Sequence, residues 1–495
     1  MPAGVPRASS KSNPKTSGER GLTETIGWDR LRVSEDDGIP HESVTAHSDR
    51  LFDGQWWRPG SRRRCAGQLI WCPERGLRLD VHRELEPVSD NPWVLHGFPV
   101  VRGTTKFGKV TVLNARLIRS YSKQYRRVVD QQETTRSLYF CDVALLNVHT
   151  LKGGPAIREA DIRMSGLDAW ADRYGAVKSV PGGVGMSHVA PLVALLGFGR
   201  LSFERHESMR LGFSSGEVRA DSGISLRYDR PTDLMTVVRT AIEPTQDLVT
   251  FLLGVPCHLT QVKVYVSTES GPYLRERHEI TVLMAGSRFG GTLQDRPTLD
   301  DPLLLTHMLD RFSAVVAKWF DLQRILKLPL SLLLAADYAP SGFIDSAFLQ
   351  VVQACEAFHR RLFAGLKIPA SDFQTRRDRI LAAVDDADRP AVQRALALAN
   401  EYSLQQRISE LLKVVPQDVR KPWGRIGQFA NRVANTRNAL SHGLKPDQNR
   451  DELDADGMLL ATARLRRALR VLIFLQLGFS HEDIQSLLRW GPMVY

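Results

Sequence analysis

The residue types best suited to chemistry lie close together late in the chain, as Arg437, Asn438 and His442. Cleavage of RNA by its own 2′-hydroxyl requires a base for that hydroxyl, an acid for the departing 5′-oxygen, and stabilised charge on the phosphoryl oxygens. His442 suits the proton transfers and Arg437 the phosphate, because histidine titrates near neutral pH and a guanidinium is a forked, charged donor. Asn438 can donate to a phosphoryl oxygen or orient the histidine. The expected reaction needs no metal and leaves a 2′,3′-cyclic phosphate and a 5′-hydroxyl.

The spacing of Arg437 and His442 also has structural explanations. Such a spacing arises by chance at this composition, and Arg200 with His206 provides a second instance. His442 can simply cap a helix end, where a positive charge is favourable with the helix dipole. Arg437 can be one partner of an ordinary surface ion pair. The surrounding elements have to decide between these roles and catalysis.

A helix through this stretch constrains the two side chains. Five residues at about 100° each set Arg437 and His442 about 140° apart on a straight helix. Both reach one phosphate only if the helix ends or distorts near Ser441, and Gly443 is a suitable terminator. One histidine cannot easily be base and acid in a single turnover. Two facing copies can, so a symmetric homodimer with a shared cleft is expected.

The composition is that of an ordinary globular protein with a basic surface. A chain of 495 residues is too long for one compact core and suggests roughly two to four domains. Lysine and arginine total 66 against 55 acidic residues, and the net charge of +11 favours a polyanionic partner such as RNA. The five scattered cysteines form no C-x-x-C pair, which argues against a disulfide framework or a structural zinc site. No metal or other cofactor is expected.

The hydrophobic pattern predicts a soluble, cytoplasmic protein with no membrane partner. No apolar run reaches membrane-spanning length, and the N-terminus has no hydrophobic signal core. The most apolar late segment, residues 459–477, is interrupted by four arginines. These arginines can bind an RNA backbone or cover a face of a helical bundle, and they are Arg464, Arg466, Arg467 and Arg470.

The front of the chain has a β pattern. Residues 1–22 are predicted to be a disordered basic tail, and residues 23–290 form a β-rich domain, an antiparallel sandwich or barrel-like fold. A hairpin is expected where residues 67–71 and 77–81 flank a Pro-Glu-Arg-Gly turn. One amphipathic helix is expected inside this domain, with Pro244 near its start and Gly254 at its end.

The back of the chain changes to a helical period. Residues 297–495 are predicted to form an all-α bundle of roughly six or seven helices, with the boundary near Gly290, Gly291 and Thr292. Together the two halves give an α+β multidomain fold. The predicted helices cover residues 303–326, 343–366, 371–386, 390–414, 424–441, 456–477 and 481–489.

Two regions in the same order resemble a known family. Residues 437–442 match the Arg-polar-x-x-x-His motif of HEPN ribonuclease domains, and the helix at residues 348–360 is similar to one in the ApeA-like HEPN subgroup. Residues 52–57 and 67–69 resemble the opening of the ApeA N-terminal domain. The resemblance implies bacterial anti-phage defence by abortive infection. It further implies a HEPN ribonuclease, often a dimer, that cleaves cellular RNA such as tRNA.

Glu356 is a supporting candidate on the helix that precedes the motif. It can orient Arg437, or it can pair with Arg360 or Arg361 at the surface, and the sequence leaves both open. His359 lies three residues later and is expected to be exposed.

The resulting hypothesis is a two-part defence effector. The front domain is expected to be a sensor or regulatory module that binds a phage or host trigger, and the helical domain a metal-independent endoribonuclease. The alternative is a HEPN-type module that binds RNA, nucleotide or protein without cleavage. Arg62, Arg63 and Arg64 can contact RNA or be solvated, and Trp56 and Trp57 can stack on bases or pack in the core.

Overall fold

The computed structural model describes residues 49–85, 97–126, 131–150, 154–171, 178–180, 183–185, 190–211, 216–269, 275–284, 303–339, 342–363, 365–443 and 451–488. The predicted tail at residues 1–22 and the predicted boundary at residues 290–292 lie outside these ranges.

Six antiparallel strands close into a barrel at the front of the chain. They are β1 (Arg50–Trp57), β2 (Cys65–Cys72), β3 (Gly76–Val81), β4 (Gly97–Thr105), β5 (Gly108–Arg126) and β6 (Gln131–Cys141). Their order is β5-β4-β1-β2-β3-β6, and β6 pairs back onto β5 to complete the ring. The predicted hairpin is confirmed, because Trp71 of β2 pairs with Leu77 of β3. The predicted barrel-like architecture is therefore confirmed.

The barrel interior is built around Trp56. Its indole is fully buried and donates from Nε1 to the Gly67 carbonyl at 3.0 Å. The ring lies against the backbone of Gly103, where a Cβ atom would approach Trp56 to 2.3 Å. A glycine is therefore required at this position of β4. Trp56 is a core residue and cannot stack on a base.

Further strands continue from the barrel into an open sheet. They are β7 (Val143–Leu146), β8 (Ala156–Met164), β11 (Leu192–Leu196), β12 (Gly199–Leu211), β13 (Gly216–Asp233), β14 (Leu259–Glu269) and β15 (Arg275–Met284). Strand β7 pairs with both β5 and β15, so barrel and open part form one thirteen-stranded sheet in the described chain. Two short strands, β9 (Lys178–Val180) and β10 (Gly183–Gly185), pair separately.

Helices dominate after the last strand. Within the described ranges they are α4 (Phe312–Ile325), α5 (Lys327–Tyr338), α6 (Ile344–Leu362), α7 (Ala370–Ala382), α8 (Arg389–Leu396), α9 (Leu404–Val414), α10 (Gln417–Arg420), α11 (Ile426–His442), α12 (Ala455–Leu477) and α13 (His481–Leu488). A 3₁₀ turn (Leu305–Arg311) precedes α4. In the described β-rich part, three further α-helices are α1 (Leu167–Ala171), α2 (Leu234–Val237) and α3 (Glu243–Leu253).

The helix predicted within the β-rich part is α3, but its predicted amphipathic character is wrong. Every residue from Pro244 to Leu253 is buried. The reason is that α3 is covered on several sides, since Phe251 stacks on Trp319 of α4 and also meets Phe474 of α12. Its predicted end is confirmed, because Gly254 adopts the left-handed conformation that terminates helices.

The helix predicted over residues 390–414 is split into α8 and α9. Asn400 causes the break, because its side chain is buried and bonds to both the N–H and the carbonyl of Ile368. Ser403 then caps α9 through a capping box with Gln406. Helices α7 and α8 form an arm that carries no buried residue and joins the bundle at the Leu366–Glu401 bridge.

A single hydrophobic core connects the open sheet with the helices. It includes Ile162 of β8, Phe251 of α3, Trp319 of α4 and Leu472 of α12. Trp319 also donates to the Pro244 carbonyl at 2.8 Å. The barrel has its own core. No helix in the described part of the chain is long and apolar enough to cross a membrane.

Candidate active site

Helix α11 carries the residues that the sequence singled out for chemistry. Its buried positions recur at helical spacing and pack into the bundle, and they are Phe429, Ala430, Val433, Ala434, Thr436 and Ala439. The helix ends at His442, and Gly443 adopts the left-handed conformation with φ 59° and ψ 34°. Its N–H closes the last turn on the Ala439 carbonyl. The predicted terminator is confirmed. However, α11 stays helical through His442, so Arg437 and His442 remain about 140° apart around the helix. The prediction that the two side chains meet past a helix break is therefore wrong.

Arg437 faces helix α6. Its Nη2 lies 3.7 Å from Oε2 of Glu356, and its Nη1 donates to Oδ1 of Asn438 at 3.2 Å. The distance to Glu356 exceeds that of a hydrogen bond, so this ion pair is loose. The Arg437 side chain is 36% exposed. The guanidinium can therefore accept a phosphate while keeping its position.

Asn438 and His442 are both exposed. Because an arginine only donates, the Asn438 amide must use its oxygen for Arg437, and its NH₂ group is left for another acceptor. His442 lies one turn beyond, and no residue in the described ranges hydrogen-bonds to its ring. Both imidazole nitrogens are therefore left for a bound molecule. No described contact joins His442 to Arg437 or Asn438.

Glu356 lies near both of the partners weighed from the sequence, Arg360 and Arg437. Its Oε1 accepts from Arg360, at 3.3 Å from Nε and 3.1 Å from Nη2, while its Oε2 faces Arg437. Glu356 thus lies between a surface arginine of its own helix and the candidate phosphate-binding arginine of α11.

The prediction that His359 is exposed is wrong. The ring is fully buried, with Nε2 at 2.7 Å from Oε2 of Glu410 and Nδ1 at 3.1 Å from Nη1 of Arg407. It also stacks on Phe363 with ring centroids 4.7 Å apart. Because Arg407 only donates, Nδ1 is an acceptor and Nε2 carries the hydrogen. Burial lowers the pKa of His359, and the charge of Arg407 lowers it further, whereas the hydrogen bond that His359 donates to Glu410 raises it.

Arg407 is the polar residue of this region that the sequence reading missed. It is 1% exposed and donates to the Tyr402 carbonyl at 3.0 Å and to Oε2 of Glu401 at 3.2 Å. The same Glu401 oxygen accepts from Arg360 at 2.8 Å. A signal existed, because Arg407 occupies an apolar helical position next to Ile408 on α9.

These contacts form one continuous network of polar side chains on α6, α9, α11 and the segment before α9. Every link is an ion pair or a hydrogen bond between side chains. In order along the network its members are Arg437, Glu356, Arg360, Glu401, Arg407, His359 and Glu410.

The arginine stripe of α12 covers the bundle. Arg466 pairs with the carboxylate of Asp337, whose side chain is 10% exposed, and Arg470 lies over the Phe251 ring at 5.3 Å. Arg464 lies over the ring of Phe429 at 5.8 Å. These contacts therefore support the structural role, in which the arginines cover a face of the helical bundle, over RNA binding.

The front-half candidates have structural roles as well. Arg64 stacks on Trp57, with its guanidinium carbon 3.9 Å from the ring centroid. Arg200 and His206 lie in strand β12 and lack the helix end found at His442. Within the described residues no group of three His, Cys, Asp or Glu side chains is arranged to hold a metal ion.

Two family models match the chain. The model described as Apea-like HEPN matches residues 349–483, which include the motif on α11 and Glu356 on α6. The model described as ApeA N-terminal domain 1 matches residues 52–319, just over half of the chain. The second match begins in β1 and extends into α4. No curated protein and no solved structure matches the chain.

Proposed function

Since this chain belongs to the ApeA family and carries a C-terminal HEPN domain, we propose that it is a metal-independent endoribonuclease that cleaves cellular RNA. The family indicates an anti-phage effector with a nuclease-type domain. The observation that supports this reaction is an exposed His442 at the end of α11, on the same helix as Arg437. The Arg437 guanidinium is held by a loose ion pair with Glu356 and a hydrogen bond to Asn438.

The proposed reaction begins with a phosphate bound by Arg437. Its guanidinium replaces part of the 3.7 Å contact with Glu356 by a shorter contact to the phosphoryl oxygens. The free NH₂ group of Asn438 donates to the same phosphate. His442 removes the proton of the 2′-hydroxyl, whose oxygen attacks phosphorus and displaces the 5′-oxygen. The products are a 2′,3′-cyclic phosphate and a 5′-hydroxyl.

The second proton transfer calls for a second histidine. A single His442 that has just accepted a proton faces the attacking side, whereas the departing 5′-oxygen lies on the opposite side of phosphorus. A homodimer in which two α11 helix ends share one cleft supplies both histidines. It also lets Arg437 of one copy and His442 of the other reach the same phosphate, although the two lie on different faces of one helix. Exposure of His442 and Asn438 supports this arrangement, because a partner can approach them without rearrangement of the bundle.

The front half is proposed to regulate this activity. We assign residues 23–290 to a sensor domain that binds a phage or host trigger, and residues 297–495 to the HEPN domain, with tRNA among the candidate substrates. The continuous core between the open sheet and the helices supports the regulatory role, because a structural change in the sheet can alter the packing of the helices.

Cleavage by the purified protein tests the proposal directly. We expect degradation of single-stranded RNA in the presence of EDTA, and its loss in Arg437→Ala and in His442→Ala. Matched controls are Arg379→Ala on the exposed arm and His481→Ala at the start of α13, which should cleave like the parent.

Two outcomes would overturn the nuclease proposal. One is RNA that is bound but not cut, which would favour the binding module. The other is an activity that EDTA abolishes and a divalent ion restores.

A further inference from the structure

Glu356 is shared unequally by two arginines. Its Oε1 accepts two hydrogen bonds from Arg360, at 3.1 Å from Nη2 and 3.3 Å from Nε, whereas its Oε2 stays 3.7 Å from Nη2 of Arg437. An arginine and a carboxylate that are free to approach form two short parallel bonds. The pair of Glu356 and Arg437 therefore remains open, and Arg360 occupies the other side of the carboxylate.

Arg360 is itself held in place by Glu401. Its Nη1 donates to Oε2 of Glu401 at 2.8 Å, and the same oxygen accepts from Arg407 at 3.2 Å. Arg407 is buried and fixed further by the Tyr402 carbonyl and by His359. The position of the Arg360 guanidinium is thus set by the interior of the bundle, although the side chain itself is half exposed.

The position of Glu356 decides whether Arg437 is available to RNA. If the Glu356 carboxylate closed on Arg437, it would neutralise the guanidinium and occupy the donors that an RNA phosphate needs. We propose that Arg360 is a positioning residue that holds Glu356 away from Arg437 and so keeps Arg437 available to RNA. This inference rests on the proposed function, and it adds a residue outside the predicted site.

The expected size of the effect is moderate. The side chains of Arg360, Glu356 and Arg437 are 49%, 23% and 36% exposed, so solvent screens their interactions. Loss of Arg360 should weaken RNA binding roughly three- to ten-fold, as expected for one partly exposed charged pair. The turnover number should change less than KM, because Arg360 does not contact the reacting atoms.

The decisive test is suppression. Arg360→Gln should raise the Kd for a single-stranded RNA, measured by fluorescence anisotropy, and raise KM for cleavage. Adding Glu356→Gln should return both values toward those of the parent, since a neutral amide no longer competes for Arg437. Arg360→Lys should retain part of the function, because an ammonium still holds the carboxylate but cannot form two bonds to it.

Arg361→Gln is the matched control. It lies next to Arg360 on α6, is exposed and changes the net charge by the same amount. It should leave the Kd near the parental value. Thermal unfolding of each variant shows whether the fold is kept.

Several results would overturn the inference. If Arg360→Gln binds RNA like Arg361→Gln, Glu356 does not need to be restrained. If Arg360→Gln binds weakly and Glu356→Gln does not restore binding, Arg360 acts on RNA or on the fold instead. A parent protein that neither binds nor cleaves RNA would refute the proposed function itself, whereas a parent that cleaves, with no suppression, would refute this inference alone.

Discussion

Arg437 of α11 and Glu356 of α6 face each other across 3.7 Å, from Nη2 of the arginine to Oε2 of the glutamate. This ion pair is too long for a hydrogen bond, so it leaves the Nη2 donors of the guanidinium unsaturated. Asn438 contributes a second contact at 3.2 Å. The result is an oriented, partly exposed cation next to a helix end that presents a histidine.

Gly443 sets the position of His442, and its replacement should disturb both helix and activity. Gly443→Ala should destabilise the protein by about 1 kcal/mol, because an alanine at φ 59° is strained. An added Cβ meets no atom within 4 Å, so the loss comes from the backbone alone. RNA cleavage should fall as the helix end shifts, and Gly443→Asn should be milder on both measures.

Gly427→Ala is the control for this prediction. It lies in the same helix, also has nothing within 4 Å of an added Cβ, and has no positive φ. It should stabilise α11 by up to about 1 kcal/mol, because alanine favours helix more than glycine. Equal effects of the two alanine variants would contradict a special role for Gly443.

Buried His359 should make stability depend on pH. Burial lowers its pKa in the folded protein below the ordinary value of about 6.5. The unfolded chain therefore binds more protons between the two pKa values. The stabilising contribution of neutral His359 is complete above about pH 6.5 and decreases as the pH falls below it toward the folded pKa. Buried His258, whose pKa is also lowered by burial, should add to the same trend.

Urea unfolding at several pH values between about 5 and 8 measures this pH dependence of stability, because that range spans the ordinary histidine pKa. His359→Gln should reduce the slope of unfolding free energy against pH below about 6.5, whatever its stability at pH 8. His481→Gln, at an exposed position, is the matched control for the loss of a histidine. A parental slope retained in His359→Gln would contradict the neutral, buried state of this ring.

The barrel should not tolerate a side chain at Gly103. Gly103→Ala places a Cβ atom 2.3 Å from the Trp56 ring, which cannot move because it is fully buried. The expected loss is about 1–3 kcal/mol of unfolding free energy, as for other overpacked cores. Gly97→Ala in the same strand meets its nearest atom at 3.5 Å and should be well tolerated. Similar chemical denaturation midpoints for the two variants would refute this packing.

The shared-cleft mechanism requires a dimer. Sedimentation velocity at micromolar concentration should show a homodimer, and mixing Arg437→Ala with His442→Ala protein should restore part of the activity if each cleft uses groups from both copies. A clean monomer that still cleaves RNA would remove the second histidine from the mechanism.

Local signals predicted much of the fold and part of the site. Turn residues marked the hairpin between β2 and β3, and Gly443 marked the end of α11, because both depend on neighbours in sequence. The exposure of His359 was predicted wrongly, because its partners Arg407 and Glu410 lie 48 and 51 residues away. The burial of α3 on all sides likewise depends on α4 and α12, which no local pattern reveals.

The break between α8 and α9 could not be predicted from local sequence either. The helical period runs through residues 397–403, but Asn400 forms two hydrogen bonds with Ile368, thirty-two residues earlier. These tertiary bonds outweigh the local preference for helix. The network of Glu401, Arg407 and Arg360 exists because of this break, since Glu401 lies directly after Asn400.

Catalysis by His442 is tested most directly by sequencing RNA ends after induction of the parent and of His442→Ala in cells. The parent should generate new ends that carry a 2′,3′-cyclic phosphate on one side of each cut and a 5′-hydroxyl on the other. These ends should be absent from His442→Ala and present with the His481→Ala control. New ends that persist in His442→Ala, or that carry 5′-phosphates, would contradict catalysis by His442.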